Sequence, residues 1–409
     1  MEKDALKILF KQEFTRMIAV ISKIYGLQHI EIAEDIVSET FLLAAETWDK
    51  KGTPVNPAAW LYTVAKQKTI HHFRRGKIFK EKIVPELSYK QSTQENEDLI
   101  FSEQNIKDSQ LQMIFAICTP VIASEAQIGL ALRILCGFGI DEIAEAFLTK
   151  KDTINKRLFR AKQKLRTEKV KLEFPAESNI ASRLENVLHI IYLLFNEGYY
   201  SKTQNKTLQK DLCLEAMRLC IMLTEYKKTN QPKTNALLAL MCFHASRFNA
   251  RKDANDYWIL YEQQDESLWE MGLIQKGRHF LNRSAEGQEM SSYHLEARIA
   301  YWHCIKEDSK NKWSDILKLY DQLLLINYSS SVALNRLFAF YKLNGSGAAL
   351  EEAKALKLGN NHFYYTLLGQ LYTDIDEQMA IMNFQKAIIL AKSKADKRTI
   401  LQKLERLKK

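Results

Sequence analysis

Between Thr149 and Lys171 the chain carries ten lysines and arginines against two acids, Asp152 and Glu168, a local balance of +8 in a protein of formal net charge +10. Cations strung along one element neutralise a polyanion and release its counterions, so the chemistry to expect here is a grip on phosphates. Ile154, Leu158, Ala161 and Leu165 recur at the spacing of one helix face. The segment therefore predicts a single helix with a narrow apolar stripe and a wide basic face. A solvated surface helix is the plainer reading, and charge this dense argues against it. Just upstream, Glu125–Phe138 is an apolar helical run closed by Gly137 and Gly139, and Asp141–Phe147 is a short helix with Ile143, Ala144 and Phe147 inward. Thr149 and Asp152 have the spacing of a capping box at the start of the basic helix. Two short helices and a tight turn, the second helix basic, predict a helix-turn-helix that enters the major groove.

A second basic island lies at Lys66–Lys82, with seven bases against Glu81. Its helix starts at a capping Asn56 with Pro57 in the first turn, and Gly76 offers a stop. Trp60, Leu61, Val64 and Ala65 should pack inward, leaving Lys66, Gln67, Arg74, Arg75 and Lys77 for phosphates. Tyr62 and Phe73 suit core packing, and stacking on an unpaired base is the sharper alternative. His71 and His72 are neighbours in sequence and do not share a helix face, so they read as surface or phosphate contacts and not as metal ligands. Before this island, Ala33, Ile36, Val37, Phe41, Ala44 and Trp48 keep helical spacing, with Glu31, Glu34, Asp35, Glu39, Glu46 and Asp49 expected outward. No Lys or Arg occurs from Gln28 to Asp49. Such a face repels DNA and should meet solvent or a basic protein partner.

The elements that hold these residues are helices. In 409 residues there are 6 prolines, the last at Pro232, and 14 glycines, which points to an all-α protein of two or three domains. Cys118, Cys136, Cys213, Cys220, Cys242 and Cys304 form no CxxC or paired Cys/His spacing, so buried thiols are expected, with neither disulfides nor zinc. No signal-peptide core and no membrane-length apolar run is visible, which predicts a soluble, cytoplasmic protein with no membrane partner. There is no nucleophile–base set, phosphate loop or HExxH, so no enzyme activity, catalytic residue, metal or cofactor is expected.

Ala33–Trp48 (AEDIVSETFLLAAETW) followed by Asn56–Arg75 (NPAAWLYTVAKQKTIHHFRR) resembles region 2 of extracytoplasmic-function sigma factors. Gly137–Arg166 resembles their region 4, and the order and spacing match. Stretches such as Tyr192–Tyr200 (YLLFNEGYY) resemble a subgroup with a long C-terminal helical extension of tetratricopeptide-like character. The resemblance implies a helical region 2 domain at 1–77, a linker at 78–105, a helix-turn-helix (winged-helix-like) region 4 domain at 106–174, and a helical tetratricopeptide-like regulatory domain at 180–409. It also implies two partners, promoter DNA and core RNA polymerase, the latter through the clamp helices of its largest subunit and the flap of its second-largest.

Residue by residue, Glu34, Asp35 and Glu39 would meet the clamp helices. Lys66 and Gln67, with the loop Lys50–Pro54, would read the minus-ten element, and Arg74, Arg75 and Lys77 would hold phosphates. Asn155, Lys156, Phe159 and Arg160 would face bases of the minus-thirty-five element, with Lys150, Lys151, Arg157 and Lys162 on phosphates. Two departures stand out: Gln67 where many members have Asn, and Leu148 where a turn glycine is common. The extension would regulate the factor, directly or with a regulatory protein. The rival readings are a one-component helix-turn-helix regulator with a helical sensor domain and a tetratricopeptide scaffold that merely carries basic helices.

Within the extension, Tyr365, Leu368, Gly369, Tyr372, Ala380, Phe384 and Ala387 follow the tetratricopeptide pattern, one residue short between Tyr372 and Ala380. Asn196–Tyr199 could line a ligand pocket and reads better as a structural turn with buried polar contacts. His244, Arg247 and Arg251 could bind an anion and read better as an internal salt-bridge set.

Overall fold

The computed structural model describes residues 2–74, 103–199, 206–251, 259, 261–356 and 358–407, and among them every regular element is helical. The helix-turn-helix therefore stands without a β-wing among the described residues. None of their helices is long and apolar enough to cross a membrane. The chain forms two compact units, Met1–Thr229 and Asn230–Lys409.

The first unit opens with α1 (Glu2–Tyr25), α2 (Ile30–Lys51) and α3 (Pro57–Arg74). The apolar spacing read in α2 is the buried face: Ala33, Ile36, Val37, Phe41, Ala44 and Trp48 are all in the core. Phe10 and Phe14 of α1 close on Phe41, with ring centroids 5.1 and 6.4 Å away. Gly52 takes a φ of 79° and its N–H returns to Trp48 O, which ends α2 where a side chain would be strained. Asn56 Oδ1 accepts from Ala59 N at 3.1 Å, the cap expected for α3. Tyr62 is buried and donates its hydroxyl to Glu13 Oε2 at 2.9 Å, so its place is the core and not a base stack.

Helix α4 (Glu103–Ile117) packs on α1, so the last three residues of the expected 78–105 linker are helical. The remaining linker positions lie outside the described residues. Next come α5 (Ser124–Leu130), one π-helical turn (Ala131–Leu135), α6 (Ile140–Ala146) and α7 (Lys151–Thr167). Ile154, Leu158, Ala161 and Leu165 are the buried stripe of α7, and Ile143 and Ala144 are buried in α6.

The expected Thr149–Asp152 capping box does not form; the residue before α7 is Lys150, and it makes no side-chain cap. Thr149 instead serves the turn through its backbone, its N–H bonding Ala144 O at 2.9 Å. That bond closes the α6–α7 turn around Leu148, whose φ is 48°. A γ-branched residue thus sits in the left-handed position that glycine favours.

Helices α8 (Glu177–Tyr199) and α9 (Lys206–Glu225) complete this unit. They belong with the helix-turn-helix because their side chains finish its open backbone. Arg183 donates to Phe115 O, Asn186 to Cys118 O at 2.7 Å, and Arg218 to Leu135 O at 2.6 Å. Asn196–Tyr199 is helical, not a turn. A Cβ on Gly198 would fall 2.6 Å from Gln209 O, so glycine here admits α9.

The second unit runs through α10 (Pro232–Ser246), α11 (Met271–Ser284), α12 (Ser292–Trp302), α13 (Lys310–Ile326), α14 (Ser330–Asn344), α15 (Ser346–Ala355), α16 (His362–Tyr372), α17 (Glu377–Leu390) and α18 (Lys394–Leu407). Successive helices pack as pairs. In α16–α17 the bare Gly369 lies under the Phe384 ring, and Ala380 and Ala387 are buried alongside. Burial together with Arg247 and Lys312 pushes the His303 imidazole down to about 3. Burial, with Arg247 and Arg251 nearby, holds His244 well below its usual range.

Leu148→Gly should stabilise the first unit by about 0.5–1 kcal/mol, the strain of a left-handed residue less glycine's entropic cost, as read by urea denaturation. Acid should weaken the second unit. Below about pH 6.5 the unfolded chain protonates His303 while the fold does not, so stability falls as pH drops from there toward 3. In His303→Gln that fall should be shallower by roughly one proton's worth of slope, measured as midpoint against pH.

Candidate nucleic-acid interface

Helix α7 shows two working faces because its apolar stripe is only four residues long. On one face Asn155, Lys156, Phe159 and Arg160 all stand exposed, and Phe159 keeps 60% of its surface in solvent. An unpartnered phenyl between cations suits apolar contact with a thymine methyl. Lys156, Arg160 and Lys164 border an open groove of about 450 Å3 that continues over Thr153, Val121 and Ala126. Lys150 is exposed at the helix start, and Lys151 pairs with Asp141 at 2.9 Å. Arg157 is half-buried, its guanidinium 5.5 Å from the Phe147 ring centroid.

The other face of α7 meets the acidic helix. Glu34 is 6% exposed, although its place in the sequence pattern predicts an outward side chain. It is buried because cations cover it: Arg133 Nε lies 2.9 Å from Oε1, and Lys162 Nζ pairs with Oε2. Arg166 adds a pair with Glu31 at 2.8 Å. Lys162, expected on a phosphate, is thus engaged within the chain. Arg133 escapes the sequence pattern altogether, yet it packs over the Phe14 ring at 5.6 Å while holding Glu34. The signal was its isolation, as the lone cation in the apolar run Glu125–Phe138.

Asp35 and Glu39 remain exposed beside the second basic island. They share a groove of about 520 Å3 with Gln67, Lys68, His71 and His72, where Lys68 pairs with Glu39 at 2.8 Å. Partial burial, then the neighbouring Glu34, raises the Asp35 carboxyl above its usual value. Gln67 is exposed and Lys66 half-buried on α3. Arg74 ends α3, while Arg75 and Lys77 lie outside the described residues. The structure therefore gathers Glu34, Arg133 and Lys162 at one contact, and Asp35, Glu39 and Gln67 at another.

Among the described residues no group of three or more His, Cys, Asp or Glu could hold a metal. All six cysteines are free thiols, and burial pushes Cys118 and Cys242 to about 12. Thiols so hard to ionise are packing residues.

Residues 9–78 match the model of sigma-70 region 2, which spans α1 to the end of α3. Residues 183–285 match a family of unknown function (DUF6596). The uncharacterized protein R00370 of Rhizobium meliloti (strain 1021) is 31% identical over 388 residues, covering 93% of this chain and 91% of that protein. No solved structure matches the chain.

The two ion pairs between α2 and α7 differ in burial, and their removal should differ accordingly. Glu34→Gln strands two half-buried cations and should cost about 3 kcal/mol of unfolding free energy. Glu31→Gln breaks an exposed pair and should cost less than about 1 kcal/mol. Equal costs in parallel urea titrations would contradict the burial described here.

Proposed function

The chain belongs to one family with the Rhizobium meliloti protein R00370 and carries the region 2 of sigma-70 factors, and we propose that it is a promoter-specificity subunit of bacterial RNA polymerase. The observation that carries this reading is the pairing of a region 2 match with a separate basic helix on a helix-turn-helix. In this reading α7 reads the minus-thirty-five element with Asn155, Lys156, Phe159 and Arg160. Lys150, Lys151 and Arg157 take phosphates, and Lys66 and Gln67 on α3 serve the minus-ten element with Arg74, Arg75 and Lys77. Each good base contact should contribute about 1–3 kcal/mol, and the phosphate contacts make binding fall steeply with salt. The protein acts by binding and performs no bond chemistry.

Glu34, Asp35 and Glu39 form the polymerase-facing surface. In the conformation described, Glu34 is spent on Arg133 and Lys162, so docking on the clamp helices competes with α7 for the same carboxylate. A state that must open before it binds lowers apparent affinity by the fraction that is open. The helical extension regulates the factor, through tetratricopeptide-like helix pairs that offer a surface for a regulatory protein. A cytoplasmic location follows from this role.

In vitro transcription with purified core polymerase is the test. The wild-type chain should direct initiation at promoters that core enzyme alone ignores. Lys156→Ala with Arg160→Ala should lower that initiation at least tenfold, and unchanged promoter choice would remove the assignment of α7. Lys162→Ala should tighten binding to core enzyme in the absence of DNA, by about tenfold, because the closed state loses its buried pair. Weaker or equal binding would mean that α7 does not compete for Glu34.

A further inference from the structure

The second unit holds a cavity of about 330 Å3 with a wall that is part aromatic and part cationic. Tyr261, His303, Trp313 and Phe338 supply rings, and Lys306, Lys342 and Lys403 supply ammonium groups. These residues come from the turn after α10, the α12–α13 connection, α13, α14 and α18, so distant stretches of sequence converge on one space. Asp308 and Glu262 are the acids on the wall. Asp308 is already committed, accepting from Lys342 Nζ at 2.7 Å and from Trp313 Nε1. Glu262 is exposed.

Two further cations stand behind this wall. Lys312 is 1% exposed, and its ammonium donates to Tyr261 Oη at 3.1 Å and Ile305 O at 2.5 Å. Among the described residues no carboxylate reaches it at ion-pair distance. Arg247 is 7% exposed; its guanidinium lies 5.7 Å from the Tyr261 ring centroid, and its Nε has no hydrogen-bond partner. Among the described residues it makes no ion pair, unlike the internal salt-bridge set that the sequence predicts. Among the described residues three lysines (Lys306, Lys342 and Lys403) and two acids line the cavity, Arg247 and Lys312 stand behind the lysines, and Asp265 and Glu266 are the further acids close to Lys306 and Tyr261.

Burying positive charge without its counter-charge is unfavourable, and ring faces offset only part of the cost. Lys312 lies 5.1 Å from the Tyr261 centroid, and Lys342 lies 5.4 Å from that of Trp313. Lys403 donates to Gln370 Oε1 at 2.8 Å, and the exposed Glu262 is the carboxylate that acts on it. Burial depresses the ammonium groups of both Lys312 and Lys403 below the usual lysine range. A bound anion would complete this electrostatic arrangement, and the surrounding rings would accept a flat apolar body. The volume is at the lower end of that found for small-molecule sites.

We propose that this cavity binds a small organic anion carrying a planar ring, with the anionic group among Lys306, Lys342 and Lys403 and the ring against Trp313 and Phe338. An aromatic carboxylate and a mononucleotide share this chemistry. The site is independent of the transcription reading, since none of its residues lies in the first unit.

The full-length chain is titrated with 1-anilinonaphthalene-8-sulfonate and, in parallel, with N-phenyl-1-naphthylamine, which has the same rings and no sulfonate. The sulfonate dye should bind saturably and about tenfold or more tighter than the neutral one. Lys342→Gln and Lys403→Gln should each weaken it about tenfold, while Lys318→Gln, an exposed lysine of α13, should leave it unchanged. Displacement by indole-3-acetate or by adenosine monophosphate supports the site and tells which source it prefers; displacement by neither overturns the ligand class. Dye binding that survives both Lys342→Gln and Lys403→Gln, or that matches the neutral dye, overturns the site. Thermal unfolding of each variant confirms that it is folded. Should one fail, the loss of wild-type dye affinity on raising salt gives the same decision, and indifference to salt counts against the site.

Discussion

A carboxylate taken out of water must be met by cations, and the first unit is organised around how Glu34 is met. Arg133 reaches it from the π-helical turn before the helix-turn-helix, and Lys162 reaches it from the basic helix itself. Neither cation is near Glu34 in sequence, so this contact joins the helices matched to region 2 to the basic helix α7. Removing Glu34 strands both cations, whereas removing either cation leaves the buried carboxylate with one partner. The exposed Arg166–Glu31 pair nearby adds direction and little energy.

This constraint divides the labour of α7. Its Lys162–Arg166 side is committed to the acidic helix, while the side bearing Lys156, Phe159 and Arg160 stays open to a duplex. The acidic helix is divided likewise: Glu34 is covered, while Asp35 and Glu39 face the groove shared with Gln67. A partner that wants the whole acidic surface has to displace α7, and the helix so released is the one proposed to read DNA. In the proposed function, binding to polymerase and freedom to bind promoter are thereby coupled through one carboxylate. Helices α8 and α9 stiffen the same unit by capping carbonyls of the helix-turn-helix region with Arg183, Asn186 and Arg218.

Periodicity made much of this legible in advance. The buried faces of α2 and α7 follow the i, i+3, i+4 spacing of their apolar residues, since local pattern and core demand agree there. Asn56 acts as the cap its type predicts. Pairings across long sequence separations were not legible. Glu34 looked outward because nothing local says that Arg133 and Lys162 will cover it. Leu148 was legible as a departure from a turn glycine, and its positive φ gives that departure a physical meaning. Thr149 misled because a backbone N–H to Ala144 O ended α6 and left its hydroxyl out of the cap of α7. Asn196–Tyr199 carried turn-like residues, but the close approach of α9 at Gly198 keeps that stretch helical. In the second unit, Lys312 gave no sequence sign of burial, because its surroundings are assembled from five separate segments, whereas Arg247 was read as internal and is buried beside the Tyr261 ring.

The most direct test places a donor and an acceptor fluorophore at the exposed positions Glu46 on α2 and Gln163 on α7, and follows energy transfer as core RNA polymerase is added. The account requires high transfer in the free protein and a clear fall once polymerase is bound, as the acidic helix exchanges α7 for the clamp. High transfer that persists in a polymerase complex would contradict it, as would low transfer in the free protein.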